Sequence, residues 1–463
     1  MNVDISLNLL LPLIWPGLFS MLCFVAALQP ALSALGTVFY FVGLVFTLHA
    51  LAGLWSLVPC EALGSMYYDS LFVWGGIMLT TLFIVIGALN VGRMKQAERW
   101  GLLLLVFLGA LVILAAKDLL LLFVALEMFF ILLVLWMAFF EEGDHPIYAT
   151  VRLFLTGAFA AGFTVLGISF LFGSAGSLNL ADIGRQVSDA PSFFYAFGLL
   201  MFLVGIFFKL SVVPFHHWAA EVYQDHAYPV IAMLAVVSKF IGIFILMRVF
   251  FHLPMPRELL VGIAALTMTV GNVAALVQQR VKRLLAFSSI AHVGFLLMAL
   301  VGGNLQGFQA MATYLIYYTF TFMAIAGVLM LFRSQEDRIE EFDGLSGRHP
   351  YLALTLTVCL LALAGIPPTL GFIAKWKVFE VAYQTGQMGL LVVAILNSLV
   401  AAYYYLAWIV RMYMKQGGTL YWPREKGLPV LVTTIFIMVG LLALSVYPEW
   451  LNQLSSLAIS NIL

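Results

Sequence analysis

The chain has 463 residues, 63% of them hydrophobic and 10% charged, and its 22 basic and 22 acidic side chains cancel to a formal charge of +0. Mean hydropathy is +1.06. A soluble domain carries about 25% charged residues, so a water-soluble fold is excluded, and the neutral balance singles out no charged partner.

About 20 apolar residues cross the hydrocarbon core of a bilayer. Hydropathy on that scale predicts fourteen spans: 7–28, 31–57, 69–92, 99–116, 119–140, 148–172, 193–222, 227–251, 258–277, 285–303, 308–332, 350–383, 388–414 and 429–448. The apolar runs are continuous, not alternating, which predicts helices and not barrel strands. Met1-Asn2-Val3-Asp4 lacks the basic region of a cleavable signal, so the first span is expected to stay in the chain. Loops after odd-numbered spans hold Arg93, Lys95, Arg99, Arg280, Lys282, Arg283, Arg333, Arg338, Arg348, Arg411, Lys415, Arg424 and Lys426; loops after even-numbered spans hold only Lys117, Arg185 and Arg257. The positive-inside rule places the odd loops in the cytoplasm and both termini on the opposite side.

Four ionisable side chains interrupt this pattern. Glu127 lies in the fifth span, Lys209 in the seventh, Lys239 midway along the eighth and Lys375 in the twelfth. A charge at the bilayer centre costs about 2.5–3.5 kcal/mol on insertion scales, so such residues face protein or a wet cavity and mark ion paths. Lysine suits a proton relay because burial lowers its proton affinity toward the physiological range, and an approaching carboxylate raises it again. Glu127 is thus expected as a counter-charge that tunes Lys209. His292, in Ser288-Ser289-Ile290-Ala291-His292-Val293-Gly294, is placed to relay between Lys239 and Lys375, since imidazole titrates near neutrality. Tyr314, Tyr317 and Tyr318 fit ordinary helix packing better than a water chain, and Lys377 reads as a stem reaching for the interface.

Two helices read as broken. Pro214 follows Lys209 by five residues, and Gly365-Ile366-Pro367-Pro368-Thr369-Leu370-Gly371 precedes Lys375. Proline removes an N–H and frees carbonyls, tolerated in a membrane only against protein or a cavity. Interrupted helices in spans seven and twelve, five spans apart and so opposite in direction, point to inverted repeats with a site near the midplane. The expected fold is an all-α polytopic membrane protein of about fourteen transmembrane helices, with two inverted five-helix repeats and broken helices 7 and 12. Its segments are 1–98 as an N-terminal three-helix part, 99–251 and 258–414 as the two repeats, and 415–463 as a C-terminal helix.

Other chemistries find little support. Cys23, Cys60 and Cys359 form no CxxC pair, so no iron–sulfur or zinc site follows. His216, His217 and His226 lack regular metal-ligand spacing, and the sequence assigns no role to His217, Asp225 or His226. The longest loops, about 174–192 and 333–349, hold no Gly-rich phosphate cradle, so nucleotide, flavin and nucleic-acid binding are unsupported.

Several motifs carry a resemblance. They are Phe208-Lys209-Leu210-Ser211-Val212-Val213-Pro214-Phe215-His216, Val222-Tyr223-Gln224, Pro229-Val230, Ser238-Lys239, Gly271-Asn272-Val273-Ala274-Ala275-Leu276 and Val281-Lys282-Arg283-Leu284-Leu285. The Ser288–Gly294 run follows, then Leu363-Ala364-Gly365-Ile366-Pro367 through Gly371-Phe372-Ile373-Ala374-Lys375, and Ala402-Tyr403-Tyr404-Tyr405-Leu406. Over roughly residues 100–415 the chain resembles the N-subunit family of bacterial proton-pumping NADH:quinone oxidoreductase (respiratory complex I), among its antiporter-like membrane subunits. Lysine at 375 fits the N type and not the M-type relative, which looks acidic there. His217, the run 224–228 and the double proline 367–368 depart from the family pattern.

The resemblance implies a proton-translocating membrane-arm subunit, a translocase component coupled to quinone reduction on partner chains. Glu127 and Lys209 would form one half-channel, Lys239 would connect, and Lys375 would end the other half. It implies no cofactor in this chain, with NADH, FMN, iron–sulfur clusters and quinone on partner subunits. The partners would be other membrane-arm subunits and the lipid of a bacterial inner membrane. The alternatives are an Mrp-type cation/proton antiporter subunit or a membrane-bound hydrogenase subunit. An intramembrane acyl transferase using His216 or His217 lacks a nucleophile with an oriented base.

Overall fold

The computed structural model describes residues 2–61, 66–94, 96–140, 144–187, 193–254, 256–332, 334, 336–420 and 427–457. Met1 and four of the loop cations counted above, Lys95, Arg333, Arg424 and Lys426, lie outside the described residues, as does the Cys60 side chain.

Contacts divide the chain into two compact units: Met1–Lys209 with Phe244–Met255 and Ser456–Leu463, and Leu210–Ile243 with Pro256–Ser455. The first unit opens with α1 (Asn2–Ala27), α2 (Leu35–Leu54), α3 (Ser70–Asn90) and α4 (Ala97–Ala115). It continues with α5 (Leu119–Phe140), α6 (Asp144–Ala175), the short α7 (Leu180–Val187) and α8 (Phe193–Leu210), which ends at the unit boundary. A two-residue ladder pairs Cys60–Glu61 with Tyr67–Tyr68, the only paired strands among the described residues. In α5, Leu120, Val124, Met128, Ile131 and Leu135 are exposed at three- and four-residue spacing, an apolar stripe for lipid, while Leu122, Leu126, Phe129, Phe130 and Leu133 are buried.

The second unit contains α9 (His217–Asp225), α10 (Tyr228–Met233) and a π-helical turn over Leu234–Ser238 that runs into α11 (Lys239–His252). Then come α12 (Arg257–Leu276), α13 (Val281–Leu300), α14 (Leu305–Met330) and α15 (Leu345–Arg348). After them come α16 (Pro350–Ala364), α17 (Leu370–Gln384), α18 (Met388–Met414), α19 (Leu428–Val446) and α20 (Pro448–Leu457).

Thirteen helices, counting Tyr228–His252 as one, are long and apolar enough to cross a membrane among the described residues. The predicted twelfth span, 350–383, is the one missing from this set: it is divided into α16 and α17, each too short to cross alone. The most enclosed spans are Tyr228–His252, Leu305–Met330 and Val281–Leu300, with 100%, 94% and 89% of their apolar windows buried, against 28% for α19. These three carry Lys239, the tyrosine cluster and His292.

Both predicted breaks are present. α8 stops at Leu210, and Ser211 takes a left-handed φ of 59°, which a side chain with a Cβ rarely adopts. The Val213 N–H that the break releases donates to Thr267 Oγ1 at 3.3 Å. α16 ends in Gly365 at φ +80°, where glycine is required twice over: the conformation is left-handed, and a Cβ would sit 2.6 Å from Cδ of Lys375.

Candidate functional site

In the first unit, Glu127 and Lys209 meet. Nζ of Lys209 lies 3.0 Å from Glu127 Oε1 and 3.8 Å from the centroid of the Phe130 ring, one turn further along α5. The two side chains are 7% and 19% exposed, so both charges have left bulk water. Lys209 Nζ has no hydrogen bond of good geometry despite this approach, so charge attraction and the ring face hold it more than directed donation. The ammonium sits in the last turn of α8, two residues before the left-handed Ser211.

A second buried ion pair in this unit escaped the sequence reading. Arg248 Nη2 lies 3.1 Å from each oxygen of Asp69, and Nη1 donates to the Ala116 carbonyl at 3.5 Å. Asp69 Oδ1 also caps α3, accepting from the Phe72 N–H at 2.7 Å. Asp69 and Arg248 are 179 residues apart and each falls near the end of a span, where charges usually reach water.

In the second unit, Lys239 is buried at the junction of the π turn with α11. Its Nζ donates to the Tyr318 hydroxyl at 3.3 Å, and that hydroxyl shares a hydrogen bond of 2.6 Å with Ser289 Oγ. On α13 one turn later, His292 Nδ1 bonds to the Tyr314 hydroxyl at 2.6 Å, and Nε2 lies 3.5 Å from the Tyr405 hydroxyl, which also bonds to Ser288 Oγ. The His292 ring centroid lies 5.3 Å from that of Tyr318 and 6.4 Å from that of Phe295. Tyr318, the partner of Lys239, thus packs beside His292, and Phe295, which also packs near His292, faces the Lys375 ammonium. Tyr314 and Tyr318, expected as packing, are hydrogen-bonding members of the cluster.

Lys375 is buried on α17 and donates to the Ala364 carbonyl at 2.8 Å, while the Tyr317 hydroxyl donates to the Ala362 carbonyl at 3.1 Å. Ala364 is the last residue of α16, so the break supplies the polar seat of the lysine, while the Ala362 carbonyl also accepts from the Gly365 N–H at 3.0 Å. Phe295 closes it on another side, with Nζ 5.0 Å from the ring centroid. Lys377 does not simply reach for water. It is half-buried and donates to Thr313 Oγ1 at 3.5 Å and to the Asn452 side chain on α20. A further polar tie, Tyr404 to Asn272 at 3.1 Å and Asn272 to Asn397 at 3.0 Å, joins α12 and α18 and was not anticipated.

The histidines near the first break do not assemble a site. His216 and His217 rings stand 4.4 Å apart, and His226 Nδ1 bonds to the Val222 carbonyl at 2.8 Å. Burial pushes the His226 imidazole below its ordinary proton affinity, against the Val222 carbonyl and Asp225 and with help from Lys282. No group of three His, Cys, Asp or Glu side chains is positioned for a metal among the described residues.

Residues 116–401 match the family described as NADH:quinone oxidoreductase/Mrp antiporter, TM. The chain belongs to this family. Glu127, Lys209, Lys239, His292 and Lys375 all fall inside the match, whereas Asp69 and Arg411 fall outside it. The chain is 35% identical over 379 residues to NADH-quinone oxidoreductase subunit N 2 of Solibacter usitatus, covering 78% of this chain and 75% of that protein. Among solved structures, it resembles a chain in respiratory complex I from Thermus thermophilus with bound aureothin. The TM-score is 0.84 at 30% identity, over 96% of this chain and 98% of that one. A chain of the Mrp complex from a Dietzia species shares the fold at 20% identity, with a TM-score of 0.85 over 99% and 97%.

Proposed function

We propose that the chain is a proton-translocating membrane-arm subunit of an NADH:quinone oxidoreductase, moving protons by changes of charge on Lys209, Lys239 and Lys375. The observation that supports this best is that three lysines are enclosed in protein, each at a helix break or distortion and each against a different polar seat: Glu127, the Tyr318 hydroxyl and the Ala364 carbonyl. A structural role alone would favour apolar residues of similar volume, which often stabilise as well or better than a buried charge. Glu127 serves as the counter-charge that loads or unloads Lys209, and His292 with its tyrosines as the relay between Lys239 and Lys375.

The relatives carry the name of NADH-quinone oxidoreductase subunits, and the reading extends their activity to the complex that holds this chain. NADH oxidation, flavin, iron–sulfur clusters and quinone chemistry then belong to partner subunits, and this chain contributes the translocase step. The complex sits in a bacterial inner membrane with the basic loops in the cytoplasm and both termini outside. Residues 99–251 and 258–414 act as inverted repeats. The Mrp-type reading shares the family description and, among solved structures, a fold-level likeness at 20% identity, whereas the similar curated relatives carry the oxidoreductase name.

The test is proton uptake by inside-out vesicles containing the assembled complex with Lys209→Ala. The proposal expects assembly to persist and proton uptake driven by NADH to fall at least tenfold. Undiminished pumping contradicts it, and sodium-for-proton exchange without NADH or quinone would favour the antiporter alternative.

A further inference from the structure

A polar cavity of about 280 Å³ lies where the start of α14 meets the end of α17 and α20. Its wall includes Gln306, Gln309, Lys377, Glu380, Gln384 and Asn452. These stand toward the span ends remote from the basic loops, the outer side on the orientation proposed above. The neighbouring surface is aromatic. Trp376 and Tyr383 on α17 are exposed, as are Tyr447 and Trp450 near Asn452, the latter two with ring centroids 5.5 Å apart. Exposed Trp and Tyr gather at head-group depth, so the cavity opens there, between hydrocarbon and water.

Lys377 and Glu380 are one turn apart on α17, a spacing at which opposite charges commonly pair along a helix. Here they bond elsewhere. Lys377 Nζ donates to Thr313 Oγ1 at 3.5 Å and to the Asn452 side chain, and Glu380 Oε1 accepts from Gln384 Nε2 at 3.1 Å. Every one of these partners is neutral, so a cation and an anion line one open cavity without cancelling. An ammonium has three N–H donors and a carboxylate about four acceptor sites, so both retain capacity for a ligand. A crevice that merely joins helices would gain by closing the charge pair. Toward the start of α17, Trp376 and Phe372 continue an exposed apolar strip, with ring centroids 6.0 Å apart. A water-soluble solute would have no use for that strip.

We infer that the cavity binds the head group of a membrane phospholipid that carries both a phosphate and a primary ammonium, a phosphatidylethanolamine. Its phosphate meets Lys377 and the Gln306 amide, its ammonium donates to Glu380 Oε2, and its acyl chains lie along Trp376 and Phe372. One molecule thus supplies the anion that Lys377 lacks and the cation that Glu380 lacks. Phosphatidylcholine offers the same phosphate, but its quaternary nitrogen has no N–H for Glu380. The site is independent of the proton path and requires only that the chain lies in a bilayer.

The experiment uses the intact complex in phosphatidylcholine vesicles with trace amounts of one of two photoreactive lipids. These share an acyl chain bearing a diazirine and differ only in an ethanolamine or a choline head group. Mass spectrometry reads labelling of the 372–384 segment relative to the exposed apolar stripe of α5. The inference expects the ethanolamine probe to label 372–384 at least about fivefold more than the choline probe, a contrast of the size one hydrogen bond supplies. Glu380→Gln, at an exposed position, should erase the contrast, and Lys377→Met should reduce labelling of 372–384 by both probes. Equal labelling by the two probes in the parent complex, a contrast that survives Glu380→Gln, or undiminished labelling in Lys377→Met would each overturn the inference. So would displacement of the ethanolamine probe by soluble phosphoethanolamine, which would make the cavity a site for a free solute and not for a lipid.

Discussion

Lys209 in the first unit and Lys239 and Lys375 in the second solve one problem in two ways. Lys209 faces a carboxylate 3.0 Å away, and its unit holds a second such pair in Arg248 and Asp69. Lys239 and Lys375 have only neutral acceptors, a phenol and a main-chain carbonyl. A charge paired with a charge is strongly held and gives up its proton when the partner moves. A charge seated on neutral dipoles is held more weakly, so its protonation follows hydration and the charge of its neighbours. Under the proposed translocation, the first unit would switch by the movement of a carboxylate and the second would pass a proton along.

The sharpest way to break this contrast is at Asp69. Guanidinium does not deprotonate in a protein, so Asp69→Ala strands a buried Arg248 charge at a cost of about 3–5 kcal/mol, and the lost helix cap adds about 1 kcal/mol. The thermal midpoint of the purified complex should fall or the subunit fail to accumulate, and Asp69→Asn, which can still cap α3, should cost less. An unchanged midpoint would refute a structural role for the pair.

Glu127→Gln is expected to cost less, about 1–3 kcal/mol, because lysine can shed its proton where arginine cannot. Proton uptake should nevertheless fall at least tenfold, and a thermal loss as large as that of Asp69→Ala would erase the distinction between the two pairs. In the second unit, Lys239→Met should leave the thermal midpoint unchanged or raise it by the equivalent of about 1–4 kcal/mol, since no anion is left behind. A marked drop there would mean that Lys239 is structural.

The smallest effect concerns His226, outside the spans. Its imidazole is pushed down by burial, so the folded segment binds fewer protons than the unfolded one. Stability around 222–228 is therefore complete above the ordinary histidine pKa of about 6.5 and is lost progressively as pH falls below it. Protection factors for backbone hydrogen exchange there, which remove the pH dependence of intrinsic exchange, should fall several-fold between pH 7.5 and pH 5.5, and His226→Gln should flatten the difference. Equal pH dependence in the two proteins would exclude His226 as the cause.

Ionisable residues inside apolar runs made Glu127 and the three lysines readable, because a charge stands out in a long stretch that is otherwise almost wholly apolar. Pro214 and the Gly365–Gly371 run made the breaks readable for the same reason. The tyrosines were not readable, since an aromatic at helical spacing has the same pattern whether its hydroxyl is idle or bonded to His292. Asp69 and Arg248 were hidden by their places near span ends. The π turn before Lys239 carries no Gly or Pro in Leu234-Ala235-Val236-Val237-Ser238, so nothing local announces it. It is set by packing around a span whose apolar window is wholly buried.

The central claim is that enclosed lysines carry protons and do not merely fill space. It is tested most directly by counting protons taken up per NADH oxidised in inside-out vesicles bearing Lys239→Met. The account predicts an assembled complex that still reduces a soluble electron acceptor while proton uptake falls at least tenfold. Proton uptake at the parent ratio from that same complex would contradict it.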